Sequence, residues 1–174
     1  MYFNAAQVSL ADNAFRHAEK LAGSYFRISP DAMKAHNYDI RTLAFLDQHE
    51  IKTHAFAHLC KYHCQQGEKA GREQAPHFYR ICLQDNRILD AVDRAGPFIK
   101  LRPLLLYIAA HELVHVIRFD SGHIDFDAPL ADKQREEEKV HEITRDVLRN
   151  LAAPELNLVM ECFSSRYQIG DLYQ

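Results

Sequence analysis

An apolar run that leads into a cluster of polar residues is the feature that most constrains the fold of this chain. The apolar residues from Leu104 to Ala110 are followed directly by His111-Glu112-Leu113-Val114-His115, which has the pattern HExxH. Pro103 suits the first turn of a helix, and no helix-breaking residue follows before Phe119. Because a buried polar side chain without a partner costs free energy, three polar residues in so apolar a helix indicate a common function.

The HExxH pattern places two imidazoles on one face of a helix. Residues four apart on a helix are neighbours, so His111 and His115 can bind the same ion. Zn²⁺ accepts imidazole nitrogens at about 2.0–2.1 Å, and catalytic zinc sites leave one position open for water. A carboxylate beside that water can act as general base, and Glu112 has this place. The motif therefore predicts Zn²⁺ as the cofactor, with hydrogen-bonded core histidines as the alternative.

A third protein ligand is needed for such a zinc site, and the acidic segment that begins at Glu136 is the obvious source. The helical wheel predicts a buried face there, on or near which Glu137 and His141 fall, whereas Glu138 and Glu142 point away. The apolar face itself consists of Val140, Ile143, Thr144, Val147, Leu148 and Leu151. The sequence therefore predicts Glu137 as the third ligand and leaves Glu142, Glu138 and His141 as alternatives. The acidic run can also serve only to favour a helix N-terminus.

The composition excludes several classes of protein. The 174 residues suffice for one domain, and a net charge of −3 with scattered basic residues gives no surface for nucleic acid. The apolar run is far shorter than the roughly 20 residues of a membrane span. The first residues do not form a basic segment followed by an apolar core, and the four cysteines show no disulfide spacing. We therefore expect a cytoplasmic protein with reduced thiols.

A second metal site is conceivable upstream of the HExxH motif. Cys60 and Cys64 could bind an ion with His63 alongside, or His54 and His58 could do so at a spacing of one helical turn. The pattern favours a simpler interpretation, in which this stretch is an amphipathic helix with some exposed histidines.

The predicted elements are mostly helical. The spacing of apolar residues predicts a helix over residues 5–22 that Gly23 ends, a short helix after Ser29-Pro30, and a long helix over residues 39–62. A solvated loop is expected between Gly67 and Gly71.

The remaining residues predict a hairpin and three more helices. Residues 78–83 and 87–92 are rich in strand formers and flank the turn Gln84-Asp85-Asn86. The HExxH helix, a helix over residues 133–152 and a helix opened by Pro154 follow, with a tail from Arg166. We therefore predict a single α+β domain over residues 1–174, predominantly helical. Its parts are a helical segment (1–70), a hairpin with the metal-binding helices (76–152), and a C-terminal helix and tail (154–174).

Residues 78–152 resemble the gluzincin group of zinc metallopeptidases, and small soluble gluzincins in particular. In that group HExxH is followed by a helix with a glutamate ligand and, four residues later, a polar residue that orients a metal-binding histidine. Glu137 matches the ligand position and His141 the orienting position. That orienting position is usually Asp or Asn, so His141 departs from the pattern. The pattern Glu-xxx-Asp taken literally selects Glu142 with Asp146 instead.

The resemblance implies a zincin-like fold and hydrolysis of a peptide or protein substrate, with Glu112 as general base. It also implies a strand edge along the cleft that can pair with an extended peptide, for which the candidate is the strand from Tyr79 to Leu83 or its partner. Tyr167, His123 and His141 are candidates for a donor to the oxyanion.

Two alternatives to a peptidase remain open at this point. A non-catalytic regulatory or interaction domain could retain zinc while Cys162 or residues 167–174 block the water position. A di-iron carboxylate protein could use two ExxH units, Glu112 with His115 and Glu138 with His141, since such units build di-iron sites in helical bundles.

Overall fold

The computed structural model describes residues 1–63 and 76–163. These residues form six helices, three strands and two short 3₁₀ turns. In chain order the elements are α1 (Ala5–Phe26), α2 (Pro30–Ala35), β1 (Tyr38–Arg41), the 3₁₀ turns Leu43–Phe45 and Gln48–Glu50, β2 (Ala57–His63), β3 (His77–Leu83), α3 (Asp85–Ala95), α4 (Leu101–Asp120), α5 (Leu130–Leu148) and α6 (Pro154–Cys162).

The three strands form a small mixed sheet in the order β1-β3-β2. β3 lies in the centre, parallel to β1 and antiparallel to β2. Its residues from Tyr79 to Leu83 are buried, whereas β2 is only partly buried. Within the described residues β2 is therefore an edge strand, with one side free of strand pairing.

Helix α4 is the centre of the hydrophobic core. It carries apolar residues on all sides and contacts α1, α3, α5, α6 and β2. One cluster of buried apolar side chains joins these elements, so the fold is α+β and mostly helical, as predicted. Among the described residues, no helix has the length and apolar character needed to cross a bilayer.

Helix α1 begins as predicted but does not end at Gly23. The helix continues to Phe26 and ends at Arg27, whose φ of 55° is left-handed. Gly23 is buried, and a Cβ atom there would lie 3.3 Å from the Ile28 carbonyl oxygen. This glycine therefore permits a close approach of the backbone and does not stop the helix.

The predicted long helix over residues 39–62 is wrong. The segment contains β1, the two 3₁₀ turns and β2. Apolar residues such as Phe56, Leu59 and Tyr62 recur at a spacing of three, which fits one face of a helix, but over so short a run this spacing does not exclude a strand with apolar residues on both faces. Pairing with β3 decides the outcome, because it satisfies the backbone groups of β2. The predicted helical segment over residues 1–70 is therefore wrong, because its described residues include two strands.

The predicted second hairpin strand over residues 87–92 is also wrong. These residues belong to α3, which buries Ile88 and ends at Gly96 with a positive φ of 58°. Leu89 and Val92 pack on the core from the same helix face as Ile88. The antiparallel pair that precedes the HExxH helix is instead formed by β2 and β3. The predicted loop at Gly67–Gly71 and the tail from Arg166 lie outside the described residues.

A buried carboxylate holds the 3₁₀ turns against the sheet. Glu50 is fully buried and accepts hydrogen bonds from the Tyr62 hydroxyl, the Asp47 backbone N–H and the Arg80 guanidinium, whose other partner is Asp39. Burial alone would raise the pKa of Glu50, but these hydrogen bonds outweigh it and lower the pKa from 4.5 to about 2.

Replacing this carboxylate should reduce stability in a pH-dependent way. We expect Glu50→Gln to lower the free energy of unfolding by about 3 kcal/mol at pH 7, because Arg80 loses a buried partner. The folded-state pKa lies below the unfolded value, so the wild type loses this stability as the pH falls from about 4.5 to about 2. Urea unfolding across this range should therefore show a shallower loss in the variant. The same pH dependence of the free energy of unfolding in wild type and variant would contradict this role. An equally large loss of stability in Glu138→Gln, a control at an exposed glutamate, would contradict it as well.

Candidate metal centre

Helix α4 brings the two histidines of the HExxH motif together. The Nε2 atoms of His111 and His115 lie 3.2 Å apart. His111 is 4% exposed and Glu112 5% exposed, so the motif is buried in the core that surrounds α4. Two imidazole nitrogens this close share one binding position.

Glu137 of α5 completes a set of three donors. Its two carboxylate oxygens lie 2.9 Å from His111 Nε2 and 3.0 Å from His115 Nε2. A tetrahedral Zn²⁺ with ligands at about 2.0–2.1 Å places neighbouring donor atoms about 3.3 Å apart. The three side chains therefore fit a zinc ion after small movements, and the structure brings them together as the sequence analysis expected.

An ion pair between α4 and α5 fixes this arrangement. Arg118 Nη2 donates to Glu136 Oε2 at 2.9 Å, and both side chains are mostly buried. Glu137 directly follows Glu136 in α5. The ion pair therefore also helps to hold the Glu137 side chain next to His115. Val140 and Thr144 continue this contact on the buried face of α5.

His141 lies one turn beyond Glu137 and contacts the same carboxylate. Its Nε2 atom is 3.3 Å from Glu137 Oε1, and its Nδ1 atom is 2.8 Å from the Tyr107 hydroxyl. His111, Glu137 and His141 form a group whose donor atoms could hold a metal ion. The Nδ1 atom of His111 has no hydrogen-bond partner among the described residues. These distances place the His141 imidazole next to Glu137 and close to His111.

Burial controls the charges of the site. Burial lowers the pKa of His111 to about 4 and raises that of Glu112 to about 7. Burial would also raise the pKa of Glu137, but His111, His115 and His141 outweigh it and lower this pKa well below 4.5. Without a metal, Glu137 is thus an anion that the surrounding imidazoles stabilise.

A cleft of about 430 Å³ opens beside these residues. Its walls come from β2, from the HExxH face of α4 and from the loop before α5, and include Ala57, His58, Leu59, Phe119, Phe126 and Glu137. The strand beside the cleft is therefore β2. The expected strand from Tyr79 to Leu83 is the central strand, paired on both sides, and its predicted partner is a helix.

Compared with models of protein families, with curated proteins and with solved structures, the chain matches none.

The alternative ligands on α5 point elsewhere. Glu138 and Glu142 are exposed, and Glu142 forms an ion pair with Lys139 on the helix surface. Asp146 pairs with Arg149. A di-iron centre would need Glu138 beside the buried Glu112, and the group of clustered donors does not include Glu138.

The remaining sequence candidates lie outside the site or outside the described residues. His123 is exposed and lines a separate cavity with Asp125 and Asp132. Cys162 is exposed on α6. Tyr167 and the rest of residues 164–174 fall outside the part of the chain that the structure describes.

Sequence reasoning missed two supports of the site. Tyr107 precedes His111 by four residues, so both side chains lie on one face of α4. This spacing was a signal that Tyr107 lies near the metal-binding candidates, where it contacts His141. Phe163 stacks on Tyr107 with ring centroids 4.3 Å apart. It lies 56 residues along the chain from that tyrosine, and no local pattern indicates such a contact.

Zinc titration of variants tests the donor set. We expect Glu137→Ala to weaken Zn²⁺ affinity by more than the roughly 10- to 100-fold that a supporting residue contributes. The matched controls Glu142→Ala and Asp146→Ala should leave affinity nearly unchanged, because both side chains are paired on the helix surface. Circular dichroism must show intact helicity in each variant. A large loss in Glu142→Ala would assign the ligand to the literal Glu-xxx-Asp pattern, and a flat result would remove α5 from the site.

Proposed function

We propose that this protein is a zinc-dependent peptidase of the gluzincin type. The observation that carries the proposal is the convergence of His111, His115 and Glu137 at one point, with Glu112 beside them and an open cleft in front. A Zn²⁺ ion bound there would supply a water of lowered pKa, about 7, and would stabilise negative charge on a substrate carbonyl.

Glu112 has the chemistry of a general base. It follows His111 directly, lines the cleft and does not belong to the clustered donor set. Its carboxylate would accept a proton from the attacking water and deliver it to the leaving amine, which splits the peptide bond without a separate acid.

The edge strand β2 suits an extended peptide as substrate. Three successive residues, Ala57, His58 and Leu59, all line the cleft. Side chains alternate between the faces of a sheet, so successive residues border a cavity together when the backbone edge of the strand faces it. A peptide could therefore add to β2 by main-chain hydrogen bonds, and the small Ala57 leaves room for its side chains.

A non-catalytic zinc domain is the second candidate, and the position of His141 favours it. His141 Nε2 lies 3.3 Å from Glu137 Oε1, and His141 belongs with His111 and Glu137 to one group of clustered donors, which does not include His115. A small movement that brought His115 and His141 to the same ion would make His141 a fourth protein ligand. Four protein ligands would fill a tetrahedral site and leave no position for water. The Nδ1–H of His141 would then donate to the Tyr107 hydroxyl oxygen and fix the tautomer of His141, as partners of metal-bound histidines usually do.

The Glu112→Gln variant separates catalysis from metal binding. We expect it to keep its zinc content and to lose about 10²- to 10⁴-fold in the rate of cleavage of fluorescently labelled casein and of a random peptide mixture. Glu138→Gln, an exposed glutamate, is the matched control and should keep full activity. Removal of zinc by a chelator should abolish cleavage, and added zinc should restore it. Cleavage that survives Glu112→Gln would exclude the assigned general base.

Binding of acetohydroxamate distinguishes the peptidase from the closed zinc domain. An open metal position should bind this chelating probe in the wild type, and His141→Ala should change its affinity little. If His141 is a fourth ligand, the wild type should resist the probe and His141→Ala should admit it. Isothermal titration of both zinc-loaded proteins measures the difference, and the second pattern would reject the peptidase.

A further inference from the structure

A second cluster of metal-binding side chains lies on the sheet. It consists of His58 and Cys60 of β2 and Cys82 of β3. His58 is paired directly opposite Cys82, and Cys60 is two residues further along β2. Residues two apart share one face of a strand, so all three side chains share one face of the β2–β3 pair.

The distances in this cluster match those of a tetrahedral site. Cys60 Sγ lies 3.5 Å from His58 Nε2 and 4.0 Å from Cys82 Sγ, and all three donor atoms lie within 4.8 Å of one another. Ligands at about 2.3 Å for sulfur and 2.0–2.1 Å for nitrogen place S and N about 3.6 Å apart, and two sulfurs about 3.8 Å apart. The thiols are not joined to each other, since a disulfide would bring the sulfurs to about 2.05 Å.

The charges of the cluster are compatible with a divalent cation. Burial lowers the pKa of His58 to about 4, so its imidazole is neutral and can bind a metal. Burial also raises the pKa of the Cys60 and Cys82 thiols, so an ion has to displace both thiol protons. Two thiolates would cancel the charge of one divalent ion, which leaves the half-buried site neutral. The nearby Arg80 would not repel the ion strongly, because Asp39 and Glu50 already neutralise its guanidinium.

The Nε2 atom of His58 is turned towards the thiols. It lies 3.5 Å from Cys60 Sγ, whereas Nδ1 is buried and has no hydrogen-bond partner among the described residues. A thiol is a weak hydrogen-bonding group, so a metal bound at Nε2 would replace a weak contact of this imidazole with a strong one.

We propose that His58, Cys60 and Cys82 form a second binding site for Zn²⁺, separate from the centre on α4. Binding would release the two thiol protons to solvent, and the described residues supply three of the ligands. The ion would cross-link the edge strand β2 to the central strand β3. Because His58 also lines the cleft beside Glu112, this cross-link would hold that wall of the cleft in place.

Cobalt titration of the full chain tests this site independently of any peptidase activity. Co²⁺ replaces Zn²⁺ and gives a near-ultraviolet thiolate-to-cobalt charge-transfer band only where sulfur binds it. The centre on α4 offers nitrogen and oxygen alone, so it cannot produce the band. We expect the band intensity to correspond to one sulfur-bound Co²⁺ per chain, in anaerobic buffer with a phosphine reductant, and to disappear when Zn²⁺ is added. Saturation can take up to two equivalents of Co²⁺, because the centre on α4 would bind the ion without producing the band.

Variants assign the band to the three side chains. Cys60→Ser and Cys82→Ser should abolish it, and His58→Ala should weaken Co²⁺ binding by more than the roughly tenfold that even a supporting residue contributes. The matched controls are Cys162→Ser and His54→Ala, both of which should keep the band.

Folding is checked separately by circular dichroism and thermal unfolding without metal. Cys60 is only partly buried, so Cys60→Ser carries the test if Cys82→Ser fails to fold. The absence of the band in fully reduced wild type would overturn the proposal. The proposal would also be overturned if the band persisted in folded Cys60→Ser or was lost in Cys162→Ser.

Discussion

The burial of three ionisable side chains in the most apolar helix constrains the rest of this structure. His111 and Glu112 are almost fully buried, and His115 is nearly so. Isolated charges in such a place would cost several kcal/mol each. The structure meets this cost by bringing one carboxylate, Glu137, to both imidazoles. The contact of Glu137 with these imidazoles constrains the position of α5, and with it one wall of the cleft.

The contact between α4 and α5 uses two kinds of interaction that act at different positions. The Arg118–Glu136 ion pair aligns the first half of α5 with the end of α4. Further along α5, Val140 and Ile143 pack into the main hydrophobic cluster. Glu137 lies between these two anchors, so its carboxylate is held without depending on a flexible loop. A metal ion would find this donor set already assembled, which reduces the free energy spent on ordering it.

The sequence predicted the centre better than its surroundings. His111, His115 and Glu137 depend on helical periodicity within long, regular segments, where side-chain direction follows from spacing alone. The stretch from Tyr38 to His63 failed because short strands and short helices share apolar spacings, and only the pairing with β3 decides between them. Cys82 meets His58 through that same pairing. A contact set by strand register cannot be read from either segment alone.

The edge strand β2 links the two candidate sites. His58 lies at the cleft that Glu112 also borders, and on the sheet it faces Cys60 and Cys82. If an extended peptide pairs with β2, as proposed, the strand has to stay in register although one of its sides has no partner strand within the described residues. Hydrogen bonds to β3 hold the other side, but β2 leads directly into residues outside the described part of the chain. A metal cross-link near its start would hold the cleft-facing end in register, whatever conformation the following residues adopt.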